Sequence, residues 1–162
     1  MAQLSPYRSL PAAQRQQLVI HDISTSREAR NSFVQAIVAR GGGFRPSKLR
    51  EWPPAQLARE VVRHNLENAE DELRLLVGLY VEVQPEIQTL FLETAGVPHE
   101  GATMPEDAAP PFAPEAAVLK GADAVMAGFG DDGRRYLRTI WIYNGDGWPG
   151  LGDYLQKLDP PA

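Results

Sequence analysis

Apolar and polar positions follow a helical period along most of this chain. The run Leu66, Ala69, Leu73, Leu76, Tyr80, Val83, Ile87, Leu90 advances in alternating steps of three and four, and every member is apolar or aromatic. Leu75, Val77, Leu79 and Phe91 widen that stripe beyond two positions per heptad. A stripe so wide belongs to a helix at the centre of a bundle rather than to an exposed two-stranded coil. Pro85 lies off the seam and the register continues across it. The pattern therefore predicts a long helix over 66–95, kinked near Pro85 or split there into two nearly collinear pieces. Gly96-Val97-Pro98 stops it.

Shorter elements flank this helix. Pro11 suits a first helical turn, and Ala12 to Ile20 are good helix formers, with His21 and Asp22 ending the helix. Thr25-Ser26-Arg27-Glu28 reads as a capping box with Thr25 as the cap. The following helix places Ala29, Phe33, Ala36 and Ile37 on one face and stops at Gly41-Gly42-Gly43. A turn of helix is expected after Pro46. Trp52-Pro53-Pro54 then forces an extended step, and a helix restarting at Pro54 buries Leu57, Val61 and Val62. Residues 97–113 have no period and form a long loop, of a length that is usually functional or disordered. Helix resumes at Pro114 with Val118, Ala122, Val125 and Phe129 inward. It breaks at Gly130 and restarts from Asp131 or Asp132 with Tyr136, Leu137, Ile140 and Trp141 on one side. Thr139 to Tyr143 is rich in β-branched and aromatic residues, but Trp148-Pro149-Gly150 is a poor partner strand, so helix is preferred there. A last short helix covers about 151–158, before Asp159-Pro160-Pro161. The expected fold is all-α, a compact bundle of about six to seven helices around the long 66–95 helix, in a single domain, 1–162. No internal repeat suggests a solenoid.

Composition narrows the classes of function. The chain has 162 residues and no cysteine, which excludes disulfides, thiol catalysis and cysteine-ligated metal centres. No run approaches a membrane span, and residues 1–10 lack the basic start and apolar stretch of a secretory signal. A cytoplasmic location is expected. The net charge of −5 conceals a division: residues 1–65 hold ten Arg or Lys against four Asp or Glu, and the remainder holds six against seventeen. A basic half and an acidic half imply faces with different partners, or mutual attraction within the fold.

Four groups carry candidate chemistry. The stretch from Arg40 to Trp52 joins Arg45, Lys48 and Arg50 to flexible glycines and two aromatics, Phe44 and Trp52. Cations beside aromatics suit phosphate contact with stacking. They equally suit a loop anchored by its aromatics with the cations in water. The glycines do not match a P-loop. His99 beside Glu100 could act as a base or metal ligand, but His21, His64 and His99 are scattered without ligand spacing. Around Asn144-Gly145-Asp146-Gly147, alignment to a calcium loop puts Ile142 where the leading oxygen ligand belongs, so a simple turn is expected. Glu67, Glu70, Asp71 and Glu72 suit a helix N-terminus electrostatically. Of the late aromatics, Trp141 is assigned to the core and Trp148 to an exposed turn as a contact residue. The binding candidates are thus Arg45, Lys48, Arg50, Trp52, His99 and Trp148, with no cofactor or metal expected. The favoured function is a helical protein–protein interaction or regulatory adaptor module without catalytic activity. The partner would be another protein, no membrane is involved, and homo-oligomerisation stays open. The alternatives are nucleic-acid binding through residues 40–52 and an enzyme with its site in the 97–113 loop.

Overall fold

The computed structural model describes residues 4–160. Residues 1–3 of the N-terminal stretch 1–10, and Pro161 of the terminal stop, lie outside the described residues. The fold is all-α: the described residues form eight α-helices and no strand. None of these helices is long and apolar enough to cross a membrane. The chain divides into two compact units, 1–78 and 79–162.

Unit 1 contains α1 (Ala12–Thr25), α2 (Arg27–Arg40), α3 (Pro46–Arg50), α4 (Pro54–Arg63) and α5 (Ala69–Gly78). Its core gathers Leu18, Val19 and Ile23 of α1, Phe33, Val34 and Ile37 of α2, Leu49 of α3, Leu57, Ala58 and Val61 of α4, and Leu75 and Leu76 of α5. Helix α1 runs past Asp22 because Ile23 lies one turn beyond Val19 on the buried face, and burial there outweighs the local stop. This extension changes the cap of α2. Ser26, not Thr25, accepts the amide of Ala29 at 3.1 Å, while the Thr25 hydroxyl donates to the His21 carbonyl at 2.8 Å inside α1. Helix α5 starts at a reciprocal cap. Asn68 Oδ1 accepts the amide of Asp71 and Asp71 Oδ2 accepts that of Asn68, at 2.8 and 3.0 Å.

Unit 2 opens with a π-helical turn, Leu79–Val83, followed by α6 (Glu86–Thr94), α7 (Glu115–Asn144), a 3₁₀ turn (Gly145–Gly147) and α8 (Leu151–Leu158). Helix from 66 to 95 is thus present in pieces, and the longest helix is α7. The expected seam is only half buried. Leu76, Tyr80 and Ile87 are inside, Leu66 and Leu90 are half-buried, and Ala69, Leu73 and Val83 are exposed. The π turn holds more residues per turn than an α-helix, so it shifts the register that a strict heptad assumes. On the flank of the stripe, Leu75, Leu79 and Phe91 are buried as well, and Val77 faces out.

Helix α7 breaks where the sequence indicates. Gly130 adopts φ 54° and ψ −123°, open only to glycine, so the two halves of α7 meet at a sharp kink. Gly133 then approaches the Val125 carbonyl so closely that a Cβ would stand 2.6 Å from its oxygen. Val118, Ala122, Val125, Tyr136 and Leu137 point inward, and residues 139–143 are helical. Edge-to-face pairs link Tyr80 to Tyr136, Phe91 to Tyr136 and Phe91 to Trp148, with ring centroids 5.0, 5.7 and 5.0 Å apart. The 97–113 loop is tied down on this core. Phe112 packs on Trp148 and its amide donates to the Gly147 carbonyl at 3.0 Å; Gln88 donates to the Ala102 carbonyl.

Candidate functional site

The basic stretch folds as a presented loop on unit 1. Helix α3 is a single turn whose Leu49 is wholly buried. Its neighbours Arg45, Lys48 and Arg50 are exposed and form no ion pair among the described residues. Phe44 stands edge-on to Trp52, with centroids 5.1 Å apart and planes at 78°. Trp52 is half-buried and Phe44 is 37% exposed, so the pair anchors the loop on one side and shows an aromatic edge on the other. The frame comes from Arg30 of α2. One of its guanidinium nitrogens, Nη2, donates to the carbonyls of Arg50 at 2.8 Å and Trp52 at 2.6 Å. Both contacts are charge-assisted and hold the end of the loop to the neighbouring helix. Arg40, at the start of the stretch, is engaged with Glu60 at 3.3 Å, and Glu60 also meets His64 at 3.1 Å. Within the stretch from Arg40 to Trp52, the cations without an ion pair among the described residues are therefore Arg45, Lys48 and Arg50, with Glu51 exposed among them.

The other predicted binding residues lie elsewhere, in unit 2. His99 is half-buried, with Nδ1 2.8 Å from the Gly101 carbonyl oxygen. With Pro98, Glu100, Thr103, Met104 and Pro105 it lines an open depression of about 700 Å³. Among the described residues no cluster of three or more His, Asp or Glu is placed to hold a metal ion. Trp148 is not on an exposed turn. It is 2% exposed, wedged between Phe91 and Phe112, while Trp141, expected in the core, is 41% exposed. The exchange has a steric cause. The 3₁₀ turn, bonded to Phe112, draws Trp148 inward, and Trp141 is left lying across α8, where a Cβ on Gly152 would stand 2.6 Å from the indole.

Sequence reasoning missed two features. Arg30 gave no local signal, because its partners are carbonyls 20 and 22 residues away. Glu67 reads as one more helix-start acid. In fact its side chain is fully enclosed, and burial pushes its carboxyl above the ordinary 4.5 despite nearby Arg8 and Arg15. The remaining acids fit the electrostatic expectation better: Asp71 caps α5 and pairs with Arg74 at 2.8 Å, which also reaches Asp22 at 3.0 Å. Compared with known proteins, the chain matches no family model, no curated protein sequence and no solved structure.

Proposed function

We propose that this chain is a non-catalytic helical interaction module whose contact site is the loop 44–52, and that the site takes an acidic partner. The observation behind this reading is the combination of a fixed frame and free cations. Arg30 and the Phe44–Trp52 pair hold the loop, and the side chains of Arg45, Lys48 and Arg50 project from it with no ion pair among the described residues. Pre-organisation of this kind lowers the ordering cost of binding. An exposed aromatic edge beside unpaired arginines is also the residue chemistry of interface hot spots. An acidic protein segment fits three cations better than a nucleic acid does. Three phosphate contacts supply little affinity for a nucleic acid.

Binding can be followed by anisotropy of a labelled acidic peptide and of a labelled mixed-sequence single-stranded oligonucleotide. The peptide should bind, and Arg45→Ala, Lys48→Ala and Arg50→Ala together should weaken it by about tenfold or more. Preference for the oligonucleotide, with a salt slope near −0.7 per contact, would instead favour the nucleic-acid alternative. Failure of both probes, or no effect of the triple substitution, would remove the proposal.

A further inference from the structure

The segment Leu4–Leu10 precedes α1 and is fastened to the α4–α5 junction. Pro6, Tyr7 and Leu10 are buried. Arg8 spans the junction: Nε reaches Glu72 at 2.6 Å, Nη1 reaches Asn65 Oδ1 at 2.8 Å, and Nη2 reaches the Glu67 carbonyl at 2.7 Å. The Ser5 hydroxyl adds a bond to Glu72 at 3.3 Å. Beneath this fastening the polar groups are poorly served. The Tyr7 hydroxyl, Arg15 Nε and both carboxyl oxygens of Glu67 are buried without a hydrogen-bond partner among the described residues. Arg8 Nη1 lies 2.8 Å from one Glu67 oxygen, so charge is opposed, yet the approach lacks hydrogen-bond direction. An ionised carboxylate needs several donors when enclosed; a protonated one needs fewer.

We propose that segment 4–10 is a proton-tightened strap: it grips the α4–α5 junction most firmly while the Glu67 carboxyl holds a proton and loosens when that proton leaves to solvent. The charged and titratable groups facing Glu67 are Tyr7 and Arg8 from the strap, Arg15 from α1 and Glu72 from α5. Neither the arginines nor the tyrosine changes charge in the acid-to-neutral range. The elevated proton affinity of Glu67, caused first by burial, agrees in sign. A carboxyl that binds its proton more tightly when covered favours the covered state below its ordinary value of 4.5, and that advantage is lost as pH rises through the covered-state value.

Amide hydrogen exchange over residues 4–10, corrected for its intrinsic pH dependence, reads the strap directly. Protection in the native protein should fall by about threefold or more between pH 4.5 and roughly 8. Glu67→Gln should flatten this dependence, and Glu72→Gln should keep it. Protection that is constant or rises with pH in the native protein overturns the proposal, and this holds even if Glu67→Gln fails to fold. A fall that persists in Glu67→Gln, or vanishes only in Glu72→Gln, overturns it as well.

Discussion

Two glycines of α7 show how far a single missing methyl group is context. At Gly128 an added Cβ would meet only the Leu90 side chain at an ordinary 3.5 Å, so Gly128→Ala should raise stability by about 0.5–1 kcal/mol through helix propensity and reduced unfolded-state freedom. At Gly133 the same methyl would meet the backbone oxygen of Val125 at 2.6 Å, an atom that cannot swing aside. There overlap wins over propensity, and Gly133→Ala should cost about 1–3 kcal/mol. Urea denaturation of both variants separates the two terms, since they should move the midpoint in opposite directions. The tryptophans teach a related lesson about what residue identity leaves open. Helical spacing alone puts Trp141 beside Tyr136 and Leu137, and only the course of the chain through Gly145–Gly147 reverses the roles of Trp141 and Trp148. That course depends on Phe112, which is far away in sequence and sits in an aperiodic loop.

At the scale of elements, caps and breaks were the legible features. Proline at the start of α3 and α4, the glycines after Arg40 and the kink at Gly130 all stand where local chemistry puts them. Errors arose where packing overrules a local signal. Ile23 carries α1 through the expected stop, and the cap of α2 moves by one residue to Ser26. Ser26→Ala should therefore destabilise the protein by about 1 kcal/mol, and Thr25→Ala should cost distinctly less; thermal melts of the pair test the assignment. The π turn at 79–83 has no sequence signature in a heptad count, which presumes one constant pitch. The contact loop was legible as a composition of cations and aromatics, but its rigidity was not, because that comes from Arg30 on another helix.

For the molecule as a whole, burial encloses three of the five phenols, Tyr7, Tyr80 and Tyr136, and partly covers Tyr154. Desolvation raises Tyr7, Tyr80, Tyr136 and Tyr154, and Tyr80 and Tyr154 are pushed up to about 12. For Tyr154 the hydrogen bond to Asp123 at 2.8 Å and the charge of that carboxylate add to the effect. The sign follows from linkage. A phenol that ionises at 10 when unfolded and near 12 when folded contributes stability that is intact below pH 10 and disappears as pH climbs through 12. An alkaline titration followed by tyrosinate absorbance should show most of the signal appearing late, together with loss of helix. A signal dominated by ionisation near 10, with the helices intact, would contradict the burial of these rings.

The enclosure of Trp148 between Phe91 and Phe112 has a spectroscopic corollary. Its indole should emit at short wavelength and resist aqueous quenchers, whereas Trp141 should emit to the red and be quenched readily. Trp52, beside the cationic loop, is placed between these extremes. The chain thus carries its own colour-coded probes, one for the integrity of the aromatic cluster and one for occupancy of the loop.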